Sequence, residues 1–161
     1  MNIRPETPSD MSAIALVNKL AFGRDEEALL VERIRNSQYY IPELALVAEI
    51  NNSVVAHIMF SYIKLVGEET FQVLGLAPAS VHPDFQKQGI GSALVNAGLI
   101  QANVLGETLI VVLGHPQFYS RFGFKPSIDF RIESTFSVPE DAFMVKTLAN
   151  YQRRDNGKVI Y

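Results

Sequence analysis

The chain predicts a single α/β domain on a mixed sheet that splays at its centre and is flanked by helices. Three observations point there. Residues 44–66 read as an antiparallel hairpin, residues 71–113 read as strand, helix, strand with tight connections, and the first strand of that unit contains Gly75 and Pro78. Strand, helix, strand with short links favours a parallel pair with a right-handed crossover. Proline cannot donate to a neighbouring ladder, so a bulge or a break in pairing is expected near Pro78, and the two parallel strands then part toward their C-terminal ends.

Each element has its own signal. Residues 2–4 read as a short first strand. Thr7-Pro8-Ser9-Asp10 is a helix start, with a hydroxyl at the N-cap, Pro at N1 and an acid at N3. Ile14, Val17 and Ala21 then share a helical face. A second helix opens after Gly23-Arg24 with Asp25-Glu26-Glu27 at its positive end, and is expected to carry Leu30 and Ile34 inward. Residues 44–50 are largely apolar, Asn51-Asn52-Ser53 is a turn, and residues 54–66 form a long strand. Gly67-Glu68-Glu69 turns the chain into the strand 71–81. The helix 89–105 closes at Gly106, and 108–113 returns as a strand. Residues 143–148 are a late strand, and Asn156-Gly157 is a turn dipeptide expected to fold 158–161 back onto it.

Composition narrows the function classes. At 161 residues the chain suits one domain, 1–161, with its core in about 1–149. A net charge of −3 and a pI near 5.6 argue against an electrostatic nucleic-acid binder. Arg153-Arg154, the only paired basic spot, sits beside Asp155 and reads as a solvated tail. Cysteine is absent, which removes disulfides, thiolate metal sites and a Cys nucleophile. The three His residues are scattered without an acid at ligand spacing, so no metal is expected. Arg4, Pro5, Glu6 and Asp10 stand where a signal peptide needs an apolar region, and no apolar run approaches membrane-spanning length. A cytoplasmic protein without a membrane partner is the expectation.

The functional signal is the run Gln86-Lys87-Gln88-Gly89-Ile90-Gly91, between a strand and an apolar helix. A strand feeding a glycine turn that opens a helix aims several N–H groups without intrahelical partners at one spot, near the positive end of the helix dipole. That is an anion site, most simply for phosphate. The alternative reading is a plain helix cap. Neither the three-glycine dinucleotide fingerprint nor the P-loop pattern is present.

The pattern Q-x-x-G-x-G, preceded by Val81-His82-Pro83 and followed by Ser92-Ala93-Leu94, resembles the coenzyme A pyrophosphate loop of the GNAT superfamily of N-acetyltransferases. A second block is similar to that family's next motif: Leu109-Ile110-Val111-Val112-Leu113-Gly114-His115-Pro116, then Phe118-Tyr119-Ser120-Arg121-Phe122-Gly123-Phe124. There a strand, a short helix carrying a Tyr and a "GF" strand complete the cofactor cleft. Residues 42–49, 74–78 and 142–145 look like predicted bacterial acetyltransferases of the YhbS type, so the resemblance covers nearly the whole chain. It implies acetyl-CoA as co-substrate, with the pantetheine lying as an extra strand in the splayed gap. The residues it assigns to the cofactor are Ala79, Ser80, Val81, Gln86, Lys87, Gln88, Gly89, Ile90, Gly91 and Ser92.

Acetyl transfer to a primary amine by direct attack needs a polarised thioester carbonyl, an amine lone pair and a proton for the departing thiolate. Backbone N–H groups around Ser80 and Val81 are candidates for the first. Tyr119 is the candidate for the third, and the resemblance points to the same residue as general acid. The competing reading makes Phe118, Tyr119 and Phe122 core aromatics. His115 either shares a helix face with Tyr119 or is the cap before Pro116. For a base, the strand 71–81 contains no acid. Glu49, His57, Glu68 and Glu69 remain, each more often structural, and none is assigned a catalytic role. His82 and Asp84 shape the loop entry. The missing acid motivates an alternative function, a catalytically weak acyl-CoA binding or sensing module. The acceptor, small molecule or protein, is not specified, and a homodimer is left open.

Overall fold

The computed structural model describes residues 1–134, 140–152 and 156–160; Arg153-Arg154 therefore lies outside the described residues. The chain divides into two compact units, Met1–Ser61 with Ala77–Gln101, and Tyr62–Leu76 with Ala102–Tyr161.

In the first unit, β1 (Asn2–Pro5) leads through a 3-10 turn (Pro8–Asp10) into α1 (Met11–Phe22) and α2 (Glu26–Arg35). The expected cap is present: the Thr7 N–H donates to Asp10 Oδ2 at 2.7 Å, and Arg4 forks the same carboxylate at 2.7 and 2.9 Å. Gly23, at φ +69°, ends α1. Ile14 and Val17 are buried, while Ala21 is only half-buried. On α2 the fully buried residue is Val31, and Leu30 and Ile34 are half-buried. The expected face is thus rotated, because α2 seats Val31 among Ile14, Ala45, Val47 and Met59 and leaves Ile34 at the margin of that cluster.

β2 (Tyr40–Ile50) and β3 (Ser53–Val66) form the expected antiparallel hairpin, with Val47 opposite His57 and Ala48 opposite Ala56. Asn51 and Asn52, both at positive φ, make its two-residue turn. β1 adds antiparallel to β2. β4 (Thr70–Val81) enters this unit at Ala77, and the His82 N–H donates to Val55 O of β3 at 2.8 Å. The residues of α3 (Ile90–Val104) in this unit carry Gly98 directly onto the Phe60 ring.

In the second unit, β4 runs parallel to β5 (Leu109–Leu113) through Leu74 opposite Ile110 and Gly75 opposite Val111. The described ladder ends there, ahead of Pro78. β5 continues antiparallel to β8 (Phe143–Thr147), and the expected "GF" strand is only β6 (Lys125–Pro126), paired with the other edge of β8. Mixed strand directions therefore occur as expected. Between β5 and β6 lies α4 (Pro116–Tyr119).

The last strand, β9 (Gly157–Ile160), does not return to 143–148. It pairs antiparallel with β3 at Lys64–Val66 and parallel with β7 (Ile132–Ser134). The reason is edge occupancy: β5 and β6 already use both sides of β8, whereas the end of β3 offers a free one. Leu65, Val73, Leu109, Val111, Ile132, Phe143, Val145 and Val159 make the core of this unit. Among the described residues no helix is long and apolar enough to cross a membrane.

Candidate functional site

The candidate anion loop is built by backbone conformation. After β4, a 3-10 turn (Pro83–Phe85) is capped by the His82 ring, whose Nδ1 accepts the Asp84 N–H at 3.1 Å. His82 and Asp84 therefore shape the loop entry. Lys87 takes φ +63° and Gly89 φ +81°, and the Ala93 N–H bonds to Gly89 O at 3.0 Å as the first turn of α3 closes. At a helix start the first N–H groups, here those of Ile90 and Gly91, lack a carbonyl one turn back, a consequence of helix geometry. At Gly89 glycine is favoured by the left-handed backbone. Apart from its chain neighbours, no described residue lies within 4 Å of where a Cβ would stand at Gly89. Gln86, Lys87, Gln88 and Gly89 are exposed, Gly91 and Ser92 half-buried, and Ile90 buried beneath the loop.

The end of β4 shows which backbone groups face out. Because His82 donates to β3, alternation along the strand turns the N–H and C=O of Val81, and with them those of Ala79, away from β3. The side chain of Gln86 folds back and donates to Val81 O at 3.1 Å, as that orientation allows. The same alternation turns the Ser80 N–H toward β3. Of the two donors considered for the thioester oxygen, Val81 is thus the one aimed off the ladder. Ser80 is buried instead, its Oγ without a partner among the described residues.

In the second unit, α4 holds Tyr119. His115 is the N-cap, its carbonyl accepting the Phe118 and Tyr119 N–H groups at 3.1 Å each. The Tyr119 ring packs edge-on against Phe118 and Phe124, with centroids at 4.9 and 5.6 Å. Its other neighbour is Gly114, where a Cβ would lie 2.5 Å from Tyr119 Cε2. Glycine there makes room for the ring. Burial pushes the phenol up to about 12, so the hydroxyl keeps its proton throughout the ordinary pH range. The core-aromatic reading thus describes the ring well; the hydroxyl, with no hydrogen bond among the described residues, is what it leaves over.

The acids and His considered as bases are otherwise engaged or exposed. Glu49 pairs with Arg4 at 2.7 Å, and Glu68 and Glu69 lie on an exposed turn. His57 is fully buried with Nε2 2.9 Å from Glu6 Oε1. This last cluster, which also holds Arg35 and Tyr40, was not anticipated from sequence. Its one trace there is a lone His within the apolar run Val54–Phe60.

A sequence model of the acetyltransferase (GNAT) domain matches residues 41–126. Over 151 residues, 93% of this chain and 89% of the relative, the sequence is 34% identical to the N-acetyltransferase YhbS of Escherichia coli strain K12. The crystal structure of Escherichia coli YhbS in complex with CoA is similar, with a TM-score of 0.91 at 33% identity over 99% of this chain and 88% of that one. So is a GNAT family acetyltransferase of Brucella melitensis in complex with acetyl-CoA, at 0.81 and 32% identity over 99% and 94% of the two chains.

Proposed function

Because the chain belongs to the GNAT family of acetyltransferases, we propose that it transfers acetyl from acetyl-CoA to a primary amine by direct attack, as one domain, 1–161, working in the cytoplasm. The observation that carries this is the left-handed, uncrowded Gly89 at the start of α3, in the same unit as a Val81 edge turned off its ladder. Both features fit an extended ligand with a phosphate tail.

When bound, acetyl-CoA supplies the activated acetyl thioester. The N–H groups of Gly89, Ile90, Gly91 and Ser92 bind the pyrophosphate, with Lys87 and Gln88 at the rim. Val81 and Ala79 align the pantetheine through main-chain hydrogen bonds, the Gln86 amide giving up Val81 O. An N–H of this edge faces the charge that develops on the carbonyl oxygen. Tyr119 holds the proton that the departing sulfur takes. A phenol near 12 facing a thiolate of roughly 8.5 makes a full transfer uphill by about 5 kcal/mol, so the hydroxyl acts as a hydrogen-bond donor through most of the step and yields its proton only as the amine releases one.

Acetyl-CoA at about a hundredfold over its Kd should stabilise the protein by about 2.7 kcal/mol. Turnover is read as thiol release against a panel of amines, and Tyr119→Phe should lower it roughly ten- to a thousandfold with little change in acetyl-CoA affinity. Full activity in that variant would remove Tyr119 from the chemistry. Binding without acetylation of any amine would favour the sensing module.

A further inference from the structure

Glu6 sits in the link between β1 and the 3-10 turn, with its side chain only 3% exposed. Its Oε2 accepts from Arg35 Nε of α2 at 2.7 Å and from the Tyr40 hydroxyl of β2 at 3.0 Å. Its Oε1 faces His57 Nε2 of β3 at 2.9 Å. One carboxylate thus gathers partners from a helix and two strands. Beyond Glu6 and Arg35, the charge facing His57 is Asp10 of the 3-10 turn, itself forked by Arg4 of β1. Arg4 is shared between Asp10 and Glu49, so three acids stand against two arginines, and α1 contributes no charge to the group. His57 is fully buried, and its Nδ1 has no partner among the described residues.

A proton added to this ring in place would create a buried positive charge without a counterion of its own, and an Nδ1–H without an acceptor. Burial accordingly lowers the His57 pKa, against the opposing pull of Glu6, whose own carboxyl is held down to about 2. The ring gains its proton readily only where it meets water. Of the elements tied to Glu6, α2 is held by one fully buried residue, Val31, and by the Arg35 bond.

We infer that Glu6, Arg35, Tyr40 and His57 form an acid-sensitive latch, which holds α2 against β2 and β3 at neutral pH and releases it in mildly acidic solution before the rest of the chain unfolds. A His that is neutral when closed and ordinary when open raises the open-to-closed ratio up to tenfold per pH unit below about 6.5, or roughly thirtyfold by pH 5.

Hydrogen exchange read as protection factors at pH 6.5 and 5 tests this on the full chain. Protection of the α2 amides should fall by up to about sixteenfold between these two pH values, while β5 and β8 keep theirs. His57→Gln, which still offers an amide N–H to Glu6 but has no proton to gain, should abolish the pH dependence. Tyr40→Phe removes one donor and nothing that titrates near pH 6, so it should loosen α2 equally at both pH values. Unchanged α2 protection in the wild-type protein overturns the latch, even if His57→Gln does not fold. So does loss of β5 and β8 protection in step with α2, or an acid response retained in His57→Gln.

Discussion

Gly114→Ala should displace Tyr119 without removing any of its atoms. The new Cβ would stand 2.5 Å from Cε2 and 3.1 Å from Cδ2, so the ring must retreat by about 0.9 Å to reach ordinary contact. Phe118 and Phe124 pack against the ring, and the Gly114 N–H is fixed to Ala142 O at 2.9 Å, so neither partner yields easily. Overpacking of this kind costs about 1 to 3 kcal/mol, or about 2 to 4 °C in unfolding temperature per kcal/mol for a chain of this size. If the hydroxyl acts on the thioester sulfur, a shift near 1 Å should also lower turnover by up to roughly a hundredfold. Differential scanning calorimetry reads the first effect, and steady-state thiol release with an accepted amine reads the second. Acetyl-CoA affinity should hold, because the loop residues are unchanged. Wild-type turnover in a variant that is measurably destabilised would show that the ring moved and that its position did not matter. Neither effect appearing would refute the packing argument itself.

Gly91→Glu should abolish acetyl-CoA binding in isothermal titration while the fold survives, since an acid is welcome in the first turn of a helix but repels a pyrophosphate. Gly89→Glu should do the same at an added cost of about 1 to 2 kcal/mol for a side chain at φ +81°; unchanged affinity in either folded variant would reduce the loop to a cap. Gly98→Ala should destabilise by up to about 2 kcal/mol, because overpacking against the fully buried Phe60 outweighs the roughly 1 kcal/mol gain in helix propensity; a more stable protein in urea denaturation would contradict the contact. In the fraction of chains whose cluster is still closed, Glu6 contributes its own slope. Burial opposes its ionisation, but His57 and Arg35 outweigh it and hold the carboxyl at about 2 against the ordinary 4.5. The folded state therefore binds fewer protons than the unfolded one between those values. Stability should fall as pH drops from about 4.5 toward 2, by up to about 1.4 kcal/mol per unit, and Glu6→Gln should remove that part of the slope in acid titrations of the unfolding free energy.

Much of the fold was legible because its signals are local. The turn at Asn51-Asn52, the cap from Thr7 to Asp10 and the opening of α2 after Gly23-Arg24 depend on residues a few positions apart, and each formed where the chain placed it. The glycine turn that opens α3, proposed above as the anion site, was legible for the same reason. Gly89 declares its left-handed backbone by being glycine, and a helix start needs no distant partner to expose its N–H groups. The rotation of α2 was not, since a face seen through Leu30 and Ile34 leaves its neighbour Val31 undecided until Ile14 and Met59 pack against it.

What only the tertiary structure decided are the choices among competing partners. The 157–160 strand had a plausible local mate in 143–148, and lost it to β5 and β6, which fill both edges of β8 from other parts of the sequence. The out-facing donor at the end of β4 is Val81 rather than Ser80, and that parity is set by one hydrogen bond from His82 to a residue 27 positions earlier. Gly114 and Gly98 carry no φ signal of their own: each is glycine because a ring arrives, Tyr119 from the next turn and Phe60 from a separate strand. The Glu6 latch is the extreme case. Its members lie up to 51 residues apart, and a buried charge cluster exists only where folding excludes water from all of them together.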